Sequence, residues 1–223
     1  KGLEIETIYQ PFGGLRLNMN LGLLETRIKG GLSIDELNIT QGEASLVSIK
    51  NSNGLNCAVN TSAFAGVIAG VNAGAIPIGA LLGACTGAFA SRGVVVSDGI
   101  AANLKDKELP DSPKYTVSFG AEYRFELGRS WVLTPRADYY RQGETFARIY
   151  NSEVDRLKGY QNLNLSLTLE NEDKNLQIQA YARNATDETT ILSSIPTNSL
   201  FGLSTQVYLS DPRTYGLVLT KRF

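Results

Sequence analysis

Residues 115–125, with the sequence YTVSFGAEYRF, alternate between apolar and polar or small side chains. The odd positions, from Tyr115 to Phe125, are aromatic or aliphatic. The even positions hold Thr, Ser, Gly, Glu and Arg. Successive side chains of an extended strand point to opposite faces of a sheet. This stretch therefore predicts a strand with one apolar face and one polar face.

The same period of two recurs in six further stretches of the chain. They begin at or near Leu3, Leu15, Trp131, Leu163, Leu176 and Tyr215. Several run for about ten residues, whereas strands of globular sheets average about five or six and membrane-crossing strands need about nine to eleven. Long alternating strands favour a transmembrane β-barrel, with a soluble β-sandwich as the alternative.

The connections between these stretches alternate in length. Tight turns are expected at 11–14, 127–130 and 171–175. Long connections are expected at 31–112, 143–158 and 184–211. Short turns on one side and long loops on the other are typical of an antiparallel outer-membrane barrel. The sequence therefore predicts an all-β fold with seven strands, whose apolar faces meet lipid and whose polar faces line a lumen.

The composition argues against several classes of function. Histidine is absent from the 223 residues, which removes histidine-based catalysis and most zinc sites. A net charge of −1 gives no overall attraction to nucleic acid. Neither a nucleophile motif such as GxSxG nor a phosphate-binding loop occurs. The sequence therefore predicts neither an enzyme nor a protein with a cofactor or a bound metal.

Several stretches carry a family resemblance. They are SPKYTVSFGAEYRF (112–125), WVLTPRADYYRQGETFARIYN (131–151), GYQNLNLSLTLE (159–170), LQIQAYARNATDE (176–188) and DPRTYGLVLTKRF (211–223). The most specific pieces are YARNATD (181–187) and PRTYGL (212–217) with the final Phe223; KGLEIE (1–6) resembles an earlier strand start. Together they resemble the C-terminal barrel strands of TonB-dependent outer-membrane receptors, in a style similar to receptors of sphingomonad-type proteobacteria.

This resemblance implies a barrel of about 22 strands with a plugged lumen. Residues 1–223 are then expected to form the C-terminal portion of the barrel, with 31–112 as a long extracellular loop and with the plug and earlier strands absent from this chain. The implied function is TonB-driven import of a scarce solute, whether siderophore, vitamin, glycan or aromatic compound. A channel without TonB coupling and a structural or adhesive barrel are the alternatives.

The resemblance also implies partners and an assembly signal. The expected partners are the remainder of the receptor, in the same or a separate chain, the TonB complex acting through the plug, and outer-membrane lipid and lipopolysaccharide. Tyr215 and Phe223 are expected to belong to the signal that the barrel-assembly machinery reads. The expected location is the bacterial outer membrane.

Residues 63–90 are almost wholly apolar and rich in Gly and Ala, although Asn72 and Pro77 interrupt them. We expect a partly helical extracellular loop that folds over the barrel mouth. A helix inserted into the lumen and a patch that meets a surface lipoprotein or other subunit are the alternatives. Cys57 and Cys85 bracket much of this segment, so a disulfide is expected in an oxidising compartment, with two buried free thiols as the alternative.

The second long connection supplies candidate ligand contacts. They are the aromatic and charged residues near the expected barrel mouth: Tyr139, Tyr140, Arg141, Tyr150, Asp155 and Arg156. Aromatic and arginine side chains suit siderophores, aromatic acids and sugars, which they bind by stacking and bidentate hydrogen bonding. Solvated loop charges, or contacts with lipopolysaccharide, are the alternative interpretation.

Two further sets follow from the strand faces. The residues expected to face the lumen and hold the plug are Glu122, Arg124, Arg136, Asp138 and Arg183. The residues expected in aromatic girdles at the membrane interfaces are Tyr123, Phe125, Trp131, Tyr139, Tyr160 and Phe223. Ordinary sheet packing is the alternative for the aromatic set.

Overall fold

The chain folds into two compact units in a computed structural model, which describes residues 1–50, 56–197, 202 and 204–222. The first, here the sheet unit, comprises Lys1–Thr26, Glu108–Ser193 and Val207–Phe223. The second, here the insert unit, comprises Arg27–Lys107 and Ser194–Gln206. Most of the insert unit therefore enters the chain as one continuous segment between strands of the sheet unit.

The described residues are mostly strand. In chain order the first strands are β1 (Gly2–Tyr9), β2 (Leu15–Leu24), β3 (Leu32–Ile34), β4 (Leu46–Lys50), β5 (Asn56–Asn60), β6 (Val96–Ser97), β7 (Ala101–Asn103) and β8 (Tyr115–Tyr123). They continue with β9 (Phe125–Leu127), β10 (Trp131–Gln142), β11 (Thr145–Phe146), β12 (Arg156–Leu157), β13 (Tyr160–Asn171), β14 (Leu176–Arg183), β15 (Ile191–Pro196), β16 (Thr205–Leu209) and β17 (Thr214–Lys221). The helices are α1 (Thr61–Asn72) and 3₁₀ turns at Ile78–Thr86, Ala90–Arg92 and Glu153–Asp155.

Seven long strands form one antiparallel sheet in the order β1-β2-β8-β10-β13-β14-β17. These are the seven stretches that the period of two predicts, and each pairs with its neighbour in the predicted series. The antiparallel all-β prediction is confirmed. Because neighbours alternate in direction, the tight turns all lie where the strands end on one side of the sheet, which we call the tight-turn edge. The long connections lie at the opposite ends of the strands, which we call the long-loop edge.

Register keeps the two faces of this sheet chemically distinct. Directly paired residues share a face, and one such row runs through Met19, Phe119, Tyr139 and Leu163. The adjacent row runs through Asn18, Gly120, Asp138 and Asn164. A slip of one residue would place a strand's apolar side chains among polar ones, so the alternation itself specifies the register. We call the two sides the apolar face and the polar face.

Pro135 interrupts one ladder without changing its register. Glu122 pairs with Arg136 and Phe125 pairs with Leu133, so β8 and β9 meet β10 in the same register on either side of a gap. Pro135 stands opposite the gap and has no N–H to donate. β9 is therefore the continuation of β8, and the predicted single stretch 115–125 is correct in register.

The apolar face is exposed rather than covered. Leu217 is 72% exposed, and Phe119 and Leu165 are each 42% exposed. Soluble monomers rarely present contiguous apolar surfaces of this extent. Lipid, by contrast, is a favourable surrounding for the outer face of a barrel.

The main hydrophobic core lies in the insert unit. Its buried members include Val59, Val67 and Phe89, which come from β5, α1 and the segment that follows the 3₁₀ turn Ile78–Thr86. Cys57 and Cys85 are joined by a disulfide with a Cα–Cα distance of 5.6 Å, which confirms the predicted pair. The expectation that residues 63–90 are partly helical is also confirmed, although the short strands β3 to β7 were not predicted. Among the described residues, no helix combines the length and the apolar character that a membrane span requires.

Candidate functional site

A row of charged residues crosses the polar face in mid-sheet. Arg136 makes a bidentate contact with Asp138, with Nε–Oδ2 at 2.7 Å and Nη2–Oδ1 at 2.6 Å. Its remaining Nη1 donates to Oε2 of Glu122 at 2.6 Å, and Arg16 lies 3.7 Å from the other oxygen of Glu122. Pairing of opposite charges lets all four groups sit half-exposed on one face. Glu122, Arg136 and Asp138 therefore share the polar face, as the alternation predicted.

Gly120, which has no side chain, leaves room for the polar side chains beside this charged row. An added Cβ at Gly120 would lie 2.7 Å from Oδ1 of Asp138 and 2.8 Å from Nδ2 of Asn18. The two polar side chains therefore lean over the glycine from the strands on either side. A bulkier residue there would displace both of them.

A cleft of about 540 Å³ opens on the polar face toward the long-loop edge. Its lining consists of residues from four neighbouring strands, β10, β13, β14 and β17, and from the connection between β14 and β17: Tyr140, Tyr160, Asn162, Asn164, Arg183, Asn184, Leu192, Ser210, Asp211, Pro212 and Thr214. All of them belong to the sheet unit. Concave sites lined by aromatic groups with a few polar groups are the usual form of a small-molecule site.

One wall of the cleft is a pair of tyrosines. The rings of Tyr140 and Tyr160 are 5.8 Å apart at 50° to each other, within the range of favourable tilted aromatic contacts. The Tyr140 hydroxyl donates to Oε1 of Gln142 at 2.8 Å, which orients the ring. Beside them, Oδ1 of Asn162 is buried and has no hydrogen-bond partner. A buried acceptor without a partner is costly, so this atom favours a ligand or water that donates a hydrogen bond.

Asn184 holds the base of the cleft together. It is buried, and its Nδ2 donates to the carbonyl oxygens of Glu188 at 2.9 Å and Asp211 at 3.0 Å. Its Oδ1 accepts from the backbone N–H of Glu188 at 3.0 Å. The backbone of Asn184 has a positive φ of 46°, a conformation that asparagine tolerates better than most residues. The YARNATD stretch thus ties both ends of the last long connection to one side chain.

Opposite charges also line the cleft. The guanidinium of Arg183 lies 5.1 Å from the centre of the Tyr181 ring, a cation–π distance that orients the arginine. Asp211 supplies a carboxylate to the same lining. Phenols, amides, a guanidinium and a carboxylate can bind a ligand by stacking and hydrogen bonding, and the cleft is suited to recognition.

The predicted ligand residues divide between three places. Tyr140 lines the cleft, but Tyr139 and Arg141 lie on the apolar face. The odd numbers of Tyr139 and Arg141 put them in the same alternating series as Leu133 and Ala137. That prediction treated neighbouring residues as one group, although adjacent strand residues point in opposite directions.

The other three predicted residues lie in the connection between β10 and β13. Asp155 is buried, and its carboxylate accepts from Nε of Arg148 at 2.5 Å and from Oγ of Ser152 at 2.6 Å. Tyr150 lies under the guanidinium of Arg148 at 5.0 Å from the ring centre. Arg156 pairs with Glu144 and with Glu153. These side chains brace the loop.

The bracing role of Arg148 was missed, although one signal was present. Ser152 and Asp155 form a capping box. The Ser152 side chain accepts from the backbone N–H of Asp155, and the Asp155 carboxylate accepts from the backbone N–H of Ser152. A serine followed three residues later by an acidic residue is a recognisable pattern. It marks Asp155 as a structural residue.

The same loop is tied to the segment before β8. Asn151 accepts from the backbone N–H of Glu108 at 2.5 Å and donates to its carbonyl oxygen at 3.1 Å. The Glu108 carboxylate lies 2.8 Å from Nζ of Lys114, and this contact raises the pKa of Lys114. The long-loop edge of the sheet unit is therefore built by hydrogen bonds between two connections.

The structure places Tyr160 outside the predicted aromatic girdle. It pairs with Gln142 and shares the polar face with Asn162 and Asn164, so it belongs to the cleft. Its even number was a sufficient signal, since the leucines of β13 are all odd. Tyr123 and Phe125 do lie together near the tight-turn edge, with ring centres 4.3 Å apart.

The predicted assembly signal is described only in part. Tyr215 is 69% exposed and lies on the apolar face at the start of β17, with the Arg213 guanidinium 5.7 Å from its ring centre. Phe223 lies outside the described residues. Its role as a terminal signal stays a prediction. Within the described part of the chain, no cluster of three or more Cys, Asp or Glu residues could hold a metal ion.

Comparison with known proteins identifies the family. Residues 2–185 match the family model described as TonB dependent receptor-like, beta-barrel. The chain belongs to this family. β17 lies beyond the matched residues, and it pairs with β14 over eight residues. A search of curated protein sequences finds no match to the chain. The narrower resemblance to sphingomonad receptors stays a prediction.

The chain also matches solved receptor structures. The ferric yersiniabactin uptake receptor FyuA from Yersinia pestis has a TM-score of 0.44 and 13% identity, over 97% of this chain and 28% of that one. BauA, the ferric preacinetobactin receptor from Acinetobacter baumannii, gives 0.41 and 10%, over 98% and 28%. The ferric-catecholate import receptor Fiu from E. coli K12 gives 0.39 and 15%, over 98% and 26%. The chain thus spans little more than a quarter of each receptor's length.

Proposed function

We propose that residues 1–223 form the C-terminal portion of the barrel of an outer-membrane receptor that imports a scarce solute. The observation that carries this proposal is the seven-stranded sheet, with an exposed apolar face and a polar face of paired charges. Family membership supports it. The plug and the earlier strands belong to the remainder of the receptor, and TonB drives transport through that plug. No bond of the solute is broken.

The orientation follows from the lengths of the connections. Tight turns face the periplasm and long loops face outward in barrels of this kind. The long-loop edge is therefore extracellular, and the inserted segment 31–112 is an extracellular loop. The cleft beside Tyr140 and Tyr160 then opens at the outer mouth of the lumen, where a solute arrives.

The polar face has two roles in this proposal. The ion-paired row of Glu122, Arg136 and Asp138 meets the plug, together with Arg124. The cleft contacts the solute through Tyr140, Tyr160, Asn162 and Arg183. Arg183, which the sequence predicted to hold the plug, is therefore proposed to contact the solute. Tyr150, Asp155 and Arg156 support the loop around the mouth.

The chemistry of the cleft favours particular chemical classes of solute. Two tilted phenol rings favour a flat or ring-shaped group, and the buried Oδ1 of Asn162 favours a hydroxyl donor. Arg183 favours a carboxylate or another anionic oxygen. A hydroxylated ring compound, such as a catechol-bearing siderophore, an aromatic acid or a sugar acid, satisfies all three.

The insert unit offers a surface to a partner. Ile78 and Leu82, four residues apart in the 3₁₀ segment, are 77% and 49% exposed. No charged residue occurs from 51 to 91. A surface lipoprotein or another subunit over residues 63–90 would cover this apolar surface.

The test uses a single reactive cysteine in the complete receptor. Both cysteines of residues 1–223 are in the disulfide, and any unpaired cysteine elsewhere in the receptor is first replaced by serine, so that Tyr160→Cys can be labelled with a fluorescent maleimide. Asn175→Cys, in a tight turn away from the cleft, is the matched control. Ferric citrate, cobalamin, 2,3-dihydroxybenzoate and galacturonate oligomers are added in turn. We expect one class to quench the label at 160 and leave the label at 175 unchanged.

Uptake of the quenching solute then separates the alternatives. In cells, accumulation of that radiolabelled solute should stop when an uncoupler collapses the proton gradient. Uptake that survives the uncoupler would indicate a passive channel, and binding without uptake would indicate an adhesive barrel. Absence of the protein from the outer membrane would contradict the proposal altogether.

A further inference from the structure

Arg141 is a cation on the apolar face. It pairs with Gln161 on one side and Val117 on the other, so it shares a face with Leu163 and Phe119. In the described strands of the large sheet, the charged side chains of this face are Arg141 and Lys221. Arg141 lies near the long-loop edge, and Lys221 lies near the tight-turn edge. Charge is costly on a lipid-facing surface except near the interface, where it can reach anionic groups.

Two tyrosines lie near Arg141 on the same face. Tyr139 precedes it by two residues on β10, and Tyr115 lies two residues from Val117, its partner on β8. The Tyr139 hydroxyl donates to Oε1 of Gln161 at 2.9 Å. Guanidinium has five N–H donors in a fixed plane, so Arg141 has donors available for an acceptor beside these phenols. A planar pair of N–H donors matches the geometry of a phosphate group.

A shallow depression lies on the same face toward mid-sheet. Its volume is about 520 Å³, and most of its lining comes from the apolar face. Small or compact side chains create it, among them Ala121, Pro135, Ala137 and Ala180, with Leu165 beside them. On an otherwise leucine-rich face, these small side chains on β8, β10 and β14 lower the surface around β13.

The two features lie along one strand. Arg141 and Ala137 are four residues apart on β10, which corresponds to roughly 13 Å at about 3.3 Å per residue. One leaflet of a bilayer has a hydrocarbon thickness of roughly 15 Å, half of the whole core. A lipid whose phosphate meets Arg141 therefore has acyl chains long enough to fill the depression. We infer that Arg141, with Tyr115 and Tyr139, and the alanine-lined depression form a binding site for one phosphate-bearing lipid of the outer leaflet.

This inference rests on the proposed function for its membrane orientation. The site differs from the solute cleft, because the apolar and polar faces are opposite sides of the same sheet. A lipid held there would cover the part of the barrel wall that small side chains leave thin. Its phosphate would neutralise the cation at the membrane interface.

The first test is retention of lipid by the complete receptor. The receptor is purified from outer membranes, stripped of lipid in detergent, and incubated with lipid A, with dioleoylglycerol or with inorganic phosphate. Native mass spectrometry counts what stays bound. We expect one lipid A per receptor and neither of the other two, since dioleoylglycerol lacks the phosphate and inorganic phosphate lacks the chain.

Matched variants assign the binding to the two features. Arg141→Gln should lower lipid A retention about tenfold, the effect of losing charge-assisted hydrogen bonds. Lys221→Gln, the other cation of this face, should leave retention unchanged. Ala137→Leu should fill the depression and also lower retention, whereas Val117→Leu on the same face should not.

The outcomes separate this inference from the proposed function. If the Arg141→Gln receptor is folded, still takes up solute and retains as much lipid A as the wild type, the lipid site alone is overturned. Equal retention of dioleoylglycerol would overturn it too. Folding of each variant is checked by the change in gel mobility on heating. A wild-type protein that is not a folded outer-membrane barrel would contradict both proposals.

Discussion

Asp155 shows how a loop residue that suggests ligand binding can be structural. Its carboxylate is nearly inaccessible, at 3% exposure, and its partner Arg148 is 15% exposed. The backbone N–H and the hydroxyl of Ser152 also donate to this carboxylate. Removing one member of a buried pair leaves the other charge without compensation.

We predict that Asp155→Asn opens the loop between β10 and β13. The loss of the buried ion pair should cost about 3 kcal/mol locally. Trypsin cleavage between residues 141 and 158 should then become at least tenfold faster, because cleavage follows local opening. Glu153→Gln is the control, since the ion pair between Glu153 and Arg156 is exposed and should contribute less than about 1 kcal/mol. Equal cleavage rates for the two variants would show that Asp155 does not brace the loop.

Pairing between β14 and β17 depends on a small residue. Tyr181 and Gly216 are directly opposed, and the Tyr181 ring occupies the space where a Cβ of Gly216 would lie. An aromatic ring over a cross-strand glycine protects the backbone and fills the pleat. Arg183 stacks on the same ring, so the contact also bears on the cleft.

We predict that Gly216→Val weakens this strand pair. Valine should push the Tyr181 ring aside at a cost of about 1–3 kcal/mol. The temperature at which the folded barrel loses its fast gel mobility should fall by several degrees. Val218→Ala, two residues along on the same face, should change that temperature much less. Identical temperatures for both variants would count against the ring contact.

The insert unit has its own core and its own covalent link. The disulfide joins β5 to the 3₁₀ segment across 28 residues of sequence. Loops of this length give disulfides typically worth about 2–4 kcal/mol. Val59 and Val67 are fully buried beside the linked elements.

We predict that the double variant Cys57→Ser, Cys85→Ser loosens this unit alone. Amide hydrogen exchange should accelerate between residues 57 and 97 and stay unchanged in β10 and β13. Reduction of the wild-type protein should reproduce the pattern, which controls for the serine substitutions. Faster exchange throughout the large sheet would mean that the two units do not open independently.

At the scale of the molecule, the two faces of the sheet predict opposite responses to charge. Leu167 lies on the apolar face in the middle of β13, and Thr168 is the next residue on the polar face. A lysine on the lipid side near the bilayer midplane costs about 2–4 kcal/mol, whereas the lumen side tolerates it.

We therefore predict that Leu167→Lys reduces folded protein in the outer membrane strongly, and that Thr168→Lys does not. Folded protein is measured as the heat-modifiable band in outer-membrane fractions. The two variants add the same charge one residue apart, so general effects of lysine cancel. Greater damage from Thr168→Lys would mean that the apolar face does not meet lipid.

Local pattern was sufficient for the seven strands, their antiparallel order and their two faces. Alternation is a property of neighbouring residues, and it also specifies register, because a slip would mix the faces. It was sufficient for the face of Tyr160 and Arg141 as well, although the interpretation of aromatic and charged residues as groups obscured that signal. The family resemblance was likewise visible in short stretches of sequence, and the family match supports it.

Contacts between distant residues were needed for the rest. The cleft joins β10, β13 and β14 to residues 210–214, and Asn184 connects its two ends through backbone groups far apart in sequence. The depression near Arg141 arises because small side chains from β8, β10 and β14 come together around leucines of β13. Neither site has a local pattern, since each depends on which strands lie side by side and on how far each side chain reaches. A sequence carries the alternation in every strand, but a concave surface exists only once the strands are paired.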